Sequence, residues 1–284
     1  MRLIFLTILV MIAFAANSIL GRWAIGGGHM DATGFGVVRL ASGAAMLAFL
    51  CVLQGGRPTE GRRRSLAGGA ALTLYIVGFS VAYVALDAGL GALVLFGVVQ
   101  VSMFGWGIVC RHPVAPLQIA GAAAALLGLG YVVWPGGQVE APLWAVFCMG
   151  AGGLGWGIYS LIGRGAQAPV AASAVNFALA TVMILPAVWW FGGGNVIQPF
   201  GVVLAMVSGA LTSGLGYALW YRVLPQISGP VAATVQLSVP VIAILAGALL
   251  LGEAIGGRLI FGSAIVLGGI ALVIFCPPQA SSGS

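Results

Sequence analysis

Apolar residues fill this chain in long runs, broken only by short clusters rich in Gly, Pro and charge. A helix of roughly 20 residues crosses a hydrocarbon layer about 30 Å thick. The runs predict ten transmembrane helices, over residues 3–25, 32–54, 66–86, 90–110, 114–134, 141–162, 169–191, 199–222, 229–251 and 257–276. The breaks are Gly26-Gly27-Gly28-His29, Gly55 to Arg64, Asp87, Arg111-His112-Pro113, Pro135-Gly136-Gly137, Arg164 to Pro169, Gly192 to Pro199, Pro225 and Gly252-Glu253, residue types that end helices. Arg2, the run behind it and Ala13-Phe14-Ala15 look like a cleavable leader. The run continues through Ile19 and Leu20, so the reading is an uncleaved first helix. Residues 279–284 read as a disordered tail.

The pattern repeats itself at low similarity. Tyr83 to Gly91 aligns with Tyr221 to Gly229, Val38-Arg39-Leu40-Ala41 with Val175-Asn176-Phe177-Ala178, and Gly121 to Gly128 with Gly262 to Gly269. The order is kept across five helices. Five is odd, so a second copy enters the membrane from the opposite side. The expected fold is an all-α membrane protein of ten transmembrane helices, built as two inverted five-helix repeats over 1–135 and 136–278. Inverted repeats are a transporter architecture, with the substrate near the midplane.

Composition narrows the class. The chain has 284 residues, 61% hydrophobic and 6% charged, against roughly 25% charged in soluble domains. All 11 basic residues are Arg; without Lys there is no Walker-type phosphate loop. With ten spans, Arg2, Arg57, Arg62, Arg63, Arg64, Arg111, Arg164 and Arg222 fall on one side, and Arg22, Arg39 and Arg258 on the other. This bias predicts cytoplasmic N- and C-termini; the all-Arg usage with abundant Ala, Gly and Val reads as a bacterial chain, and the expected location is the inner membrane. The same bias reads the basic balance as topology, not as nucleic-acid binding. Acids run the other way: Asp31, Asp87, Glu140 and Glu253 lie opposite Glu60. Cys51, Cys110, Cys148 and Cys276 have no metal or disulfide spacing and read as buried hydrophobes. No metal and no cofactor is expected.

Two motifs lead nowhere. Gly150-Ala151-Gly152-Gly153-Leu154-Gly155 matches a dinucleotide fingerprint, but it lies inside an apolar helix with no following acid, where such a site needs a strand before it. His29 and His112 sit in loops on opposite faces, and Gly78-Phe79-Ser80 has no base, so the chain does not read as an enzyme. Glycine, 46 residues in all, reads as helix-packing seams, with Gly153 and Gly157 on one face and Gly121 and Ala125 on another.

The candidate binding residues are polar or aromatic positions inside apolar helices. Tyr75, Phe79 and Tyr83 share a face of the third helix. Trp156, Tyr159 and Ser160 share one in the sixth, and Ser213, Tyr217 and Trp220 one in the eighth. Each stripe has a packing reading beside the ligand reading. Asn17, Gln100 and Gln236 are amides at membrane depth, which must find partners or a wet cavity. Ser238 and Gln236 flank Pro240, which frees a carbonyl within the ninth helix. Arg39 lies about two turns inside the second helix, where a charge costs roughly 2.5–3.5 kcal/mol on insertion scales. It reads as a clamp on helix-end carbonyls, a partner of a substrate carboxylate, or a side chain reaching the outer surface. Glu253 ends the ninth helix and reads as a holder of backbone amides or of Arg258, with proton coupling as an alternative. The partners expected are a lipid bilayer and a small-molecule substrate, with the protein acting as a monomer. A channel or scaffold would keep the same spans.

The repeat, the ten spans, Arg39, and Pro240 followed by Leu250-Leu251-Gly252-Glu253 and Gly262 together resemble the EamA-type permeases of the drug/metabolite transporter superfamily. The whole chain is most similar to the YddG-type aromatic amino acid exporters within it. The resemblance implies a central cavity lined by helices 1, 3, 4, 6, 8 and 9, and export of aromatic amino acids and some drug-like cations. One departure is Ser102, which stands where the first repeat of such permeases often carries a proline matching Pro240.

Overall fold

The computed structural model describes residues 1–56, 60–111, 113–134, 141–164, 166–191, 196–227 and 229–276. Arg57, His112, Glu140, the junction at 135–136 and the tail at 279–284 fall outside these residues. Among the described residues nine helices are long and apolar enough to cross a membrane, and a shorter divided one makes a tenth segment. They are α1 (Arg2–Gly26), α2 (Ala32–Leu53), α3 (Arg62–Ala82), α4 (Ala88–Val109), α5 (Pro116–Val133), α6 (Leu143–Gly163), α7 (Pro169–Trp190), α8 (Pro199–Gln226), α9 and α10 (Gly257–Phe275). The ninth is divided into Gly229–Gln236 and Ser238–Leu251.

The starts and breaks follow from local chemistry. Pro116, Pro169 and Pro199 open α5, α7 and α8, at the first helical position where a missing N–H costs nothing. The Asp31 carboxylate accepts the Gly34 N–H at 2.8 Å and caps α2. Gly252 closes α9 in the left-handed conformation, φ 68°, which glycine adopts without strain. Pro240 has no N–H for the carbonyl four residues back, that of Gln236, and α9 divides there. Pro186 does the same near Ile184 in α7. The sequence places the start of α3 at residue 66; the helix in fact begins at Arg62 and takes three arginines into its first turn. Their long stems let the charges reach past the apolar layer.

The helices have two ends. One gathers the last turns of α2, α6, α8 and α10 with the first turns of α3, α5 and α7. There Arg64 donates to the carbonyls of Ile162 and Arg164 at 2.6 and 2.7 Å, and Gln118 to that of Val273 at 2.9 Å. We call it the Arg164 end. The opposite, Glu253 end gathers the last turns of α1, α3, α5 and α9 with the first turns of α2, α4, α8 and α10. Trp23, Trp134, Trp144, Trp189 and Trp190 lie toward it, as in the aromatic belt of a membrane interface. Phe147, Trp189 and Leu249 are 75%, 85% and 83% exposed. Such surfaces are compatible with lipid and not with water.

Neighbouring helices pair as follows. α3 packs on α6 and α7, α5 on α10, α2 on α7 and α8, α4 on α6 and α9, and α1 on α8 and α9. Glycine sets the closest of these seams. A Cβ on Gly155 of α6 would lie 2.6 Å from the Tyr75 backbone nitrogen of α3, and one on Gly121 of α5 would lie 2.5 Å from the Gly269 carbonyl of α10. Neither neighbour is a movable side chain. Gly155→Leu is therefore expected to abolish the monodisperse detergent-purified protein on size exclusion. Gly130→Leu, with open space around the glycine, is expected to leave the profile unchanged.

Candidate substrate cavity

A cavity of about 550 Å³ enters from the Arg164 end. Gly163, Arg164 and Leu224 form its rim, and it reaches inward between α4, α6, α8 and α9 to Trp156 and Tyr217. Its walls carry seven of the candidate binding residues singled out from sequence: Gln100, Trp156, Tyr159, Ser160, Tyr217, Trp220 and Gln236. A smaller chamber of about 20 Å³ lies deeper, bounded by Phe14, Asn17, Ser18, Tyr75, Phe79, Trp156 and Tyr217. That is room for about one water. Trp156 and Tyr217 line both spaces and so form the partition.

The walls are an aromatic cluster. Trp156 meets Tyr75, Tyr159 and Tyr217 with ring centroids 5.2, 5.6 and 5.0 Å apart. Phe14 packs edge-on to Tyr217 at 5.8 Å and to Trp220 at 6.0 Å. Offset and edge-on pairs of this kind are each worth about 0.5–1.5 kcal/mol beyond area burial. Gln236 Nε2 donates to the Ala232 carbonyl at 3.2 Å. Tyr159 donates to Ser173 at 3.0 Å.

Beneath the cluster a polar chain ties four helices together. Asn17 Oδ1 of α1 accepts from Ser208 at 2.8 Å, Thr212 at 2.7 Å and Ser213 at 3.3 Å. All three hydroxyls come from α8, which is π-helical over Val207–Leu215. The wider π turn rotates more slowly per residue, so groups four and five apart converge on one side. Arg39 of α2 continues the chain. Its Nε donates to Ser213 Oγ at 3.2 Å and its Nη2 to the Tyr75 hydroxyl of α3 at 2.8 Å. Its guanidinium lies 4.6 Å from the Phe79 ring centroid. Arg39 is 0% exposed, and its Nη1 has no partner among the described residues.

The Glu253 end is closed by a second polar cluster. Glu253 Oε1 accepts the Ala88 N–H at 2.7 Å and Oε2 the Gly89 N–H at 3.4 Å, so the α9–α10 loop caps the first turn of α4. Arg22 of α1 stands 3.8 Å from Glu253 and 3.3 Å from Asp87, and donates to the Tyr83 and Val84 carbonyls, each at 3.4 Å. Burial pushes the Glu253 carboxyl above the usual carboxylate range; the Ala88 N–H opposes this, nearby Asp87 adds to it, and Arg22 opposes it. A cavity of about 480 Å³ lies beside the cluster, bounded by Glu253, Arg258 and Tyr131.

Several expectations change. Arg39 clamps two hydroxyls and not helix-end carbonyls, because α8 brings Ser213 to its depth. It does not reach the surface. Glu253 does hold backbone amides, but its cation is Arg22; Arg258 donates to the Tyr131 carbonyl at 2.7 Å instead. Asn17, Tyr75 and Phe79 bound the deep chamber. Tyr83 lies apart from both chambers, buried under the closed end, with its hydroxyl donating to the Ala88 carbonyl at 3.3 Å. Ser238 turns back to the Val235 carbonyl at 2.6 Å, and Pro240 is buried within α9. The sequence reading passed over Ser208, Thr212, Arg22 and Asp87. A Ser/Thr pair four apart in an apolar helix, and opposite charges at successive helix ends, were the available signals.

The apolar exterior and the long apolar helices fit a multi-pass membrane protein. Residues 143–275 match the model of the EamA-like transporter family. The chain is 45% identical over 273 residues to an uncharacterized protein of Pseudomonas aeruginosa, covering 96% of this chain and 94% of that one. It is 23% identical over 175 residues to the uncharacterized transporter YwfM of Bacillus subtilis, covering 61% and 59%. A crystal structure of a protein sharing 17% identity superposes with a TM-score of 0.70, covering 95% of this chain and 98% of that one; it supports the fold alone. The second half of the chain thus carries the match to the EamA-like transporter family.

Proposed function

We propose that this protein exports aromatic and other apolar amino acids across a bacterial inner membrane by alternating access. The observation that carries the reading is a cavity with aromatic and amide walls, entered at the Arg164 end and sealed at the other by Arg22, Asp87 and Glu253. Rings stack on Trp156, Tyr159 and Tyr217; an amino group finds Gln100, Gln236 and Ser160 where one is present. The sealed end is the barrier that must open for release.

The helix neighbours support two inverted repeats. Exchanging each helix with the one five places away maps α3–α6 onto α8–α1, α4–α6 onto α9–α1 and α3–α7 onto α8–α2. All of these pairs are in contact, and α2–α7, α4–α9 and α5–α10 map onto themselves. Arg62, Arg63, Arg64, Arg111, Arg164 and Arg222 gather at the Arg164 end, against Arg22 and Arg258 at the other. That balance favours a cytoplasmic Arg164 end, and with it an inward-facing state and cytoplasmic termini. The protein acts as a monomer, each chain carrying its own cavity.

The test is flux into proteoliposomes that contain only this protein, with phenylalanine, tryptophan, leucine, threonine and a cationic dye, with and without a pH gradient. Saturable flux of phenylalanine and tryptophan is expected. Gln236→Ala is expected to lower it several-fold without loss of folded protein. No protein-dependent flux of any aromatic amino acid would retire the reading, and flux without saturation would indicate a channel.

A further inference from the structure

We propose that the charge of Arg39, held behind the Tyr75 and Phe79 wall, sets an anion preference in this cavity, so that the transported class is defined by a carboxylate on an aromatic or apolar body and the amino group is dispensable. This rests on the transport reading above and names what that site selects.

The inference starts from charge. Arg39 is fully buried and carries a charge that guanidinium does not give up. Its two hydrogen bonds go to neutral hydroxyls, those of Ser213 and Tyr75. Its remaining nitrogen, Nη1, has no acceptor among the described residues. A buried cation is ordinarily paired with an acid. None of Asp31, Glu60, Asp87 and Glu253 lines either chamber; Asp31, Asp87 and Glu253 lie at the far end and Glu60 pairs with Arg64.

The position is equally specific. Arg39 lines neither chamber; its guanidinium lies behind Phe79 and Tyr75, the rings that wall the deep chamber. Through Ser213 it is joined to Asn17, which lines the same chamber. Arg164 adds a second cation at the mouth. A solute moving from the rim to the partition therefore passes from one positive group toward another, with low-dielectric walls between. Such a field favours anions and repels cations, and burial strengthens it. The ring of an aromatic carboxylate would rest on Trp156 and Tyr217 while its carboxylate points to the Tyr75 and Phe79 wall. An amine without a carboxylate meets the same charge with the wrong sign.

The test is competition against labelled phenylalanine in proteoliposomes, using 3-phenylpropionate, which lacks the amino group, and phenethylamine, which lacks the carboxylate. 3-Phenylpropionate is expected to compete within a few-fold of phenylalanine, and phenethylamine at least tenfold more weakly. In Arg39→Gln the preference for the carboxylate over the amine is expected to collapse; in Arg39→Lys, which keeps the charge, it is expected to persist even where flux falls. Equal competition by the two compounds in the native protein overturns the proposal. So does an unchanged preference in Arg39→Gln, which would leave Arg39 as a tie between α2, α3 and α8. Phenylalanine that is not transported at all retires the transport reading instead, so the two failures are distinguishable.

Discussion

Trp156→Ala is expected to lower phenylalanine flux at least tenfold while admitting larger solutes. The side chain stands in the partition between the main cavity and the deep chamber, and touches Tyr75, Tyr159, Tyr217 and Phe14. Truncating a packed Trp costs about 3–5 kcal/mol where the site does not collapse. Here one side already faces a cavity, so fewer contacts are lost and the cost in stability falls below that range. The cost to function is larger in proportion. A ring that holds three others at stacking distance sets the width of the pocket, and each 1.4 kcal/mol of lost binding is about tenfold. Trp156→Phe keeps an aromatic face and should retain most of the flux. The check is the rate for phenylalanine against a larger aromatic peptide, with the thermal midpoint in detergent measured beside it. Native rates and native size selection in the alanine variant would remove Trp156 from the site.

The second large effect is expected at the sealed end. Glu253→Ala removes the only side chain that caps α4 from the α9–α10 loop among the described residues. The Ala88 and Gly89 N–H groups lose their acceptor, and Arg22 loses one of its two carboxylate partners. The expected result is a leaking seal. With Cys51, Cys110, Cys148 and Cys276 replaced by alanine, Ser18→Cys in the deep chamber should become reactive to an impermeant maleimide applied from the Glu253 side, at least several-fold faster than in the sealed parent. Glu253→Gln keeps a carbonyl oxygen for the Ala88 N–H and should stay sealed. If the alanine and glutamine variants label alike, the seal is made elsewhere.

Proton linkage at Glu253 has a definite sign. Burial raises its carboxyl in the sealed state above the range of a solvated carboxylate. The proton therefore binds the sealed state more tightly than an open one in which Glu253 meets water. Acidity at that face favours sealing, and the effect is lost as pH rises through the raised value. Labelling at Ser18→Cys, normalised to an exposed cysteine at Ala254, should fall on acidification. The ion pair with Arg22 alone would give the opposite trend, so a rise would mean that the pair outweighs desolvation.

Much of this molecule was legible along the chain. The apolar runs announced ten segments because a helix at membrane depth must satisfy its own backbone, and nothing shorter crosses the layer. Pro240 announced the division of α9, and the glycines announced seams. Seven candidate residues, Gln100, Trp156, Tyr159, Ser160, Tyr217, Trp220 and Gln236, reached one cavity, because a polar or aromatic side chain inside an apolar helix turns toward protein or water. Tyr83 and Ser238 went elsewhere. Their character was the same, but the face they occupy depends on where α3 and α9 sit against α4.

The sequence by itself therefore determined the class, the number of crossings and the short list of polar groups that need company in oil. Those follow from hydropathy and from the cost of an unsatisfied group. Only the tertiary structure decided which groups keep company with which. Asn17 meets Ser208 and Thr212, 191 and 195 residues away, because a π-helical turn in α8 aims them there. Arg22 meets Glu253 because α1 and α9 end side by side. Pairings across such separations are set by helix packing, and no local pattern encodes them.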